Sequence, residues 1–417
     1  MINFRTETPI LDMTEQRWTK TALLLTIVTT IALSQDCPSP CVCIQTTTYC
    51  NRTGITAIPK NLPNNTVTLY IGYNPIKFIP KTAFYGLTKL QELDFSGNQF
   101  NEKSIEKGAL DLPSVKTLDL TGNSYMTVPQ DLPPNLTKIY FYYNPITTLT
   151  ATSFVNHTSL ETLFFMNTQI SKIEDHAFDP LVNAVEIDLS FNKLVDGSFS
   201  PMSFIKNQKL INLEFRFNQL ETVPNTTNFP ASLESLDLVG NKIKVIPSYA
   251  FQTLANVTSM ALWQGAITTL EDNAFFGMKK LSYLDMMQNH VTPAITNLTF
   301  NGLTSLQNLY IDLNNITKID SGAFHSTRSI LQLWMSSNKL STLDPEVLDK
   351  KYTPQLSTIY MDDNPWICDC HLRWLREKMD NEPNVIQDPH LIVCHGPPAV
   401  AGKAWNVLKA SDFVCKD

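Results

Sequence analysis

The chain has 417 residues, 43% of them hydrophobic, enough apolar surface to bury a large core and too much for a disordered chain. Its formal net charge of −7 comes with no long run of Lys or Arg. That speaks against nucleic acid and anionic membrane as partners, since both select basic patches.

Residues 1–34 read as a signal peptide. "RWTK" supplies positive charge, "TALLLTIVTTIALS" is an apolar stretch, and Ala32, Leu33 and Ser34 suit cleavage after Ser34. The stretch falls short of the roughly 20 apolar residues a membrane span needs. Initiation at Met13 in place of Met1 would leave a more ordinary leader.

Two groups of four cysteines follow, at opposite ends: Cys37, Cys41, Cys43 and Cys50, then Cys368, Cys370, Cys394 and Cys415. Even, clustered counts in an exported chain read as disulfides, with three connectivities open for each group. Zinc is the rival, but the spacing includes C-x-C and no redox C-x-x-C, so no metal is expected. Eight N-x-S/T sequons, at Asn51, Asn64, Asn135, Asn156, Asn225, Asn256, Asn297 and Asn315, offer glycan acceptors. Two residues follow Cys415, so a membrane anchor at that end is not expected.

Between the cysteine groups one pattern recurs thirteen times, as in "LQELDFSGNQF", "VKTLDLTGNSY" and "LESLDLVGNKI", each approximating L-x-x-L-x-L-x-x-N-x-L. The ninth position falls at 74, 98, 123, 144, 168, 192, 218, 241, 265, 289, 314, 338 and 364. Positions 4 and 6 of such a unit point inward along a short strand, and positions 3, 5 and 7 point out. One unit cannot bury its apolar face, but a stack can. The ninth-position Asn is expected to turn inward and satisfy buried backbone groups; Thr168 and Gly265 are the exceptions. On the return path Phe84, Phe178, Phe251, Phe275 and Phe324 read as core, while "VPQDLPPNL" and "IPKNLPNNT" use proline to hold an extended return. Inner strands spaced about 4.8 Å apart under a wider outer arc must curve.

At this point the chain resembles extracellular leucine-rich repeat proteins with cysteine-rich caps, such as Slit, Nogo-receptor, Toll-like and variable-lymphocyte-receptor ectodomains. "CPSPCVC" with "IQTTTYC" is similar to their N-terminal cap, and "NPWICDCHLRWL" with "CHGPPAVAGKAWNVLKASDFVC" to their C-terminal cap. The resemblance implies an α/β repeat fold, a curved horseshoe solenoid with a parallel concave sheet and disulfide-bonded caps. It implies the pairs Cys37 with Cys43, Cys41 with Cys50, Cys368 with Cys394, and Cys370 with Cys415. The organisation that follows is a signal peptide at 1–34, a cap at 35–61, thirteen repeats at 62–364 and a cap at 365–417. In the second cap "HLRWLREKMD" has helical spacing, with Leu372, Leu375 and Met379 facing the last repeat.

Function is expected on the concave wall. Column 5 holds six acids among thirteen residues, for which "LDL" as ordinary template is the plain explanation; no pocket is evident that would shift their pKa values. The aromatic outward residues fit the template less well. Trp263, Tyr283, Met287, Tyr310, Trp334 and Tyr360 fall on repeats nine to thirteen, and a smaller group holds Tyr140, Tyr142, Phe164 and Met166. Aromatics and Met are enriched where proteins bind each other, although such rings could instead merely pack on one another. In "ALWQGAI" the inward Met260 and Leu262 persist while Ala261 and Trp263 replace outward polar residues, as recognition would require. The expected function is therefore a secreted, glycosylated, non-catalytic module binding an extracellular or cell-surface protein, with no cofactor. The alternatives are a matrix component resembling small leucine-rich proteoglycans, or a soluble form of a receptor. The seven His residues show neither metal spacing nor a nucleophile context, so an enzyme is not expected.

Overall fold

The structure is a computed structural model that describes residues 37–200 and 202–415. The proposed signal peptide lies outside the described residues. Thirteen three-residue strands, from Thr68–Tyr70 to Thr358–Tyr360, pair in parallel, in sequence order and in register. Each has a buried middle residue and outward ends, as period-2 geometry requires. Leu69, Leu93, Leu118 and their successors line the inner face of one continuous core.

The N-terminal cap extends this sheet. Val42–Ile44 and Thr47–Tyr49 form an antiparallel hairpin, and Thr47–Tyr49 then pairs in parallel with Thr68–Tyr70. Disulfides join Cys37 to Cys43 and Cys41 to Cys50. At the far end Cys368 is bonded to Cys394 and Cys370 to Cys415. There a helix, Arg373–Asn381, lays Leu375 on the last turn, beside Leu372, with Met379 partly buried against the same core. Trp366, Trp405 and Phe413 fill the space beneath it. Arg376 is buried and donates through Nε and Nη2 to the Leu408 carbonyl, which fixes the helix to the closing segment. Both ends of the core are thereby covered, a necessity for a stack whose terminal units have no neighbour.

The return path is a spine of rings. Phe251, Phe275, Phe300 and Phe324 stack with centroids 5.9, 6.3 and 5.9 Å apart. Phe141 and Phe165, just behind the inner strands, are 5.0 Å apart. The outer spacing exceeds the inner, so the stack curves with its sheet on the concave side. Phe154, Phe204 and Phe300 occupy the same buried place although their segments lack the Ala-Phe pair of most copies.

The ninth-position ladder is the polar counterpart of this core. Asn123, for example, donates through Nδ2 to Phe95 and Leu120 carbonyls, while its Oδ1 accepts from the Asn98 and Phe100 N–H groups. Asn74 ties the first repeat to the cap by accepting from Gly54 and Thr53 N–H and donating to the Cys50 carbonyl. Thr168 joins the ladder through its hydroxyl, which donates to Phe165 O and to Asn192 Oδ1. At Gly265 a rung is missing. A Cβ there would lie 2.8 Å from Asn289 Oδ1, the oxygen that accepts from Ile267 N–H.

The template alone gives no sign of what happens at position 8, where the chain leaves each strand. All thirteen residues there, from Tyr73 to Asp363, have φ between 48° and 68°. Only Gly97, Gly122 and Gly240 are glycine, and two of these have a second reason to be. A Cβ on Gly97 would sit 2.6 Å from the Tyr73 ring, and the Phe217 ring lies equally tight over Gly240. Among the described residues no helix is long and apolar enough to cross a membrane.

Candidate functional site

The outward positions 3, 5 and 7 make the concave wall. They carry ten carboxylates and two cations, Lys138 and Arg216, eight net negative charges against −7 for the whole chain. The negative charge of the molecule is thus concentrated on this one face.

The aspartates at position 5 have a structural task. Oδ1 of Asp94, Asp119, Asp188, Asp237 and Asp285 each accepts the N–H of the residue two further on, at 2.8 to 3.0 Å. This local bond explains why "LDL" recurs, and it leaves Oδ2 for other partners. Arg216 supplies one such partner, with Nε 2.7 Å from Asp237 and 3.4 Å from Glu214.

The expectation that these acids keep ordinary pKa values fails at Asp188, Glu214, Asp237 and Asp285. Neighbouring side chains shield Glu186, Asp188, Glu214, Asp237, Asp285 and Asp312, and nearby like charges add to the effect at all of these but Asp188. Glu214 is pushed up to about 7, by burial first and then by Asp188, Asp237 and Glu186, with Arg216 opposing. Burial also raises Asp285 and Asp312 to about 6. Asp188, Asp237 and Glu186 move in the same direction for the same reason.

A raised folded-state pKa means the folded chain holds the proton more tightly than the unfolded chain. Glu214 therefore contributes stability that is full below the unfolded value near 4.5 and lost as pH rises through about 7. Thermal unfolding of wild type and Glu214→Gln, measured from pH 5 to 8, checks this. The wild type is expected to lose more stability with rising pH than the variant; parallel curves would refute the shift.

Among the aromatic residues, Tyr283, Tyr310, Trp334 and Tyr360 form an unbroken ladder. Their successive centroids are 5.3, 5.4 and 3.7 Å apart, and every ring is half-buried. Trp263 and Met287 lie side by side at position 7 of adjacent strands, where Gln264 N–H reaches the Met287 carbonyl; they flank the ladder without joining it. The smaller group also stacks. Tyr140 lies 4.9 Å from Phe164 and 5.7 Å from Tyr142, with Lys138 Nζ 5.1 and 5.2 Å from the Tyr140 and Phe164 centroids. Met166 follows two residues after Phe164, at position 7 of the same repeat.

All eight sequon asparagines lie off the inner strands. Asn64, Asn135, Asn156, Asn225 and Asn297 are exposed, and Asn51, Asn256 and Asn315 partly so. A cavity of about 670 Å³ opens beside the C-terminal cap, lined by Lys318, Asp320, His325, Asp344 and His371 among others. Lys318 pairs there with Asp320 at 2.8 Å, and His325 Nε2 lies 3.0 Å from a Glu346 carboxylate oxygen. The one described group of His, Cys, Asp and Glu with metal-like spacing is Cys370, His371 and Cys415, whose cysteines are joined in a disulfide and so cannot serve as thiolate ligands.

A leucine-rich repeat family model matches residues 64–124, 134–194, 231–291 and 304–365. The chain is 26% identical over 288 residues to osteomodulin of Bos taurus, a match spanning 68% of this chain and 60% of that protein. It is 27% identical over 335 residues to keratocan of Mus musculus, spanning 79% and 82%. Among solved structures, a chain from the octameric complex of latrophilin 3, Unc5D and FLRT2 superposes with TM-score 0.61 at 24% identity, covering 90% of this chain and 99% of that one. An LRR protein of Leptospira interrogans gives TM-score 0.64 at 22% identity, covering 80% of each chain.

Proposed function

The chain belongs to the leucine-rich repeat family, and from that premise we propose that it is a secreted, non-catalytic recognition protein that holds a protein ligand against its concave wall. Its disulfide-bonded ends and its likeness to osteomodulin and keratocan place it outside the cell. The observation that carries the reading is the ladder Tyr283, Tyr310, Trp334 and Tyr360, extended by Trp263 and Met287. These rings stack along the wall, one against the next, yet each keeps part of its surface open to solvent, on a wall that bears no sequon. Large, stiff aromatic surfaces of this kind supply the anchor contacts of protein interfaces. Tyr140 and Phe164 offer a second, smaller contact.

The test compares residues 35–417, secreted from glycosylating cells, with Trp263→Ala/Tyr310→Ala/Trp334→Ala against an array of extracellular proteins. Hot-spot rings are each worth about 2 kcal/mol or more, so the triple variant should bind its ligand at least about a hundredfold more weakly while unfolding at the same temperature. A ligand held equally by both proteins would move recognition to the outer arc, the caps or the glycans. That result would favour the matrix-component reading, which the match to most of keratocan supports.

A further inference from the structure

The two halves of the acidic wall differ in a way that bears on the ligand. Around Glu214 the carboxylates share cations: Arg216 bridges Glu214 and Asp237, and Lys138 acts on Glu186. In repeats ten to thirteen Asp285, Asp312 and Asp362 stand beside the ring ladder, and none of them forms an ion pair among the described residues. Asp285 is almost wholly buried, under Tyr283, whose hydroxyl donates to its Oδ2 at 3.2 Å. Asp312 and Asp362 are half-buried and face the concave space; Asp362 accepts from Ser336 Oγ. Two polar atoms here, Asp312 Oδ1 and Trp334 Nε1, are shielded from solvent and have no hydrogen-bond partner among the described residues.

We propose that this place takes an arginine side chain of the protein ligand, the guanidinium donating to Asp312 and Asp362 where they border the Tyr310, Trp334 and Tyr360 ladder. The inference rests on the concave-wall reading above and names the chemistry of its partner. A shielded carboxylate without a cation is costly, and an incoming guanidinium offsets that cost. Its planar fork matches a carboxylate better than an ammonium does, and it sheds water more readily on entering a half-buried place. Charge also decides against one rival occupant. A second copy of the chain docked wall to wall would set eight net negative charges against eight, which strongly disfavours that pairing. A bound metal ion is not favoured either, since these carboxylates are not among the groups with metal-like spacing.

Burial, and after it repulsion from Asp285 and Asp362, holds Asp312 up at about 6. The groups facing it are Asp285, Tyr310 and Asp362, and no cation acts on it. Binding of a cation should therefore weaken as pH falls from 7.5 to 5.5.

The experiment titrates the secreted chain into a fluorescent extended peptide carrying three arginines, and into the same peptide with citrulline, the neutral isostere, at each arginine. Wild type should prefer the arginine peptide by about tenfold or more, and Asp312→Asn/Asp362→Asn should lose that preference. Neutralising two exposed acids of the return path, Asp111→Asn/Asp175→Asn, should leave it intact. Equal binding of the two peptides, no binding of the arginine peptide, or an equal loss in the return-path variant would each overturn the inference. The ligand array separates the two readings. A ligand lost by the ring variant but retained by Asp312→Asn/Asp362→Asn leaves the concave wall standing and removes the arginine. A ligand indifferent to both variants removes the concave wall itself.

Discussion

Asn192→Ala is expected to destabilise the stack by about 3 kcal/mol or more, the largest effect of any single ladder residue. Asn192 donates to the Phe165, Leu189 and Ser190 carbonyls and accepts from the Gln169 and Ile170 N–H groups and the Thr168 hydroxyl. Removing it leaves several buried groups unpaired, each costing about 1–3 kcal/mol. The neighbouring Thr168 makes matters worse, because its hydroxyl is shorter than an Asn side chain and depends on Asn192 Oδ1 for one of its bonds. Asn338→Ala is the control, since the Asn314 rung below it is intact. Chemical denaturation should rank Asn192→Ala below Asn338→Ala in stability; equal midpoints would show that the Thr168 hydroxyl adds nothing to the loss, and two variants as stable as wild type would show that the ladder does not act through these bonds.

Phe204→Ala should cost about 3–5 kcal/mol, the range for emptying a buried phenylalanine site. The ring is fully buried and meets Phe178 at 5.2 Å, Phe229 at 5.5 Å, Phe199 at 6.1 Å and Phe215 at 6.2 Å. Phe178 and Phe229 are themselves return-path rings of the two flanking repeats, so the cavity would open across three repeats. Each repeat touches only its neighbours in such a stack. Hydrogen exchange is therefore expected to show lost protection concentrated in repeats five to eight, with both caps still protected. Uniform loss along the chain would instead show that the solenoid unfolds as one unit.

The irregularity of the ninth repeat, "ALWQGAI", divides into two parts. Gly265 omits a rung, and the Asn289 amide has taken up the space a side chain would fill. Trp263 stands on the outward face beside the ring ladder. The first is a local cost to the stack; the second is surface, and its worth is what the ring variant measures.

The recurrence of L-x-x-L-x-L-x-x-N-x-L determined by itself that this chain stacks, which residues form the core, that the sheet is parallel and concave, and that the ends need caps. Those properties follow from a period set within each repeat, so each copy states them again. The place of Phe204 was harder to see, since its segment lacks the Ala-Phe pair, and the left-handed position 8 carries no constant residue to betray it. Only the tertiary structure decided which outward residues meet. Tyr310, Trp334 and Tyr360 are 24 and 26 residues apart in sequence but touch across adjacent strands. The same proximity raises Glu214 and Asp312, gives Arg216 to one part of the acidic wall and leaves another without a cation. Burial and Coulomb forces act through space over a few ångströms, and register and curvature, which no single repeat contains, set those distances.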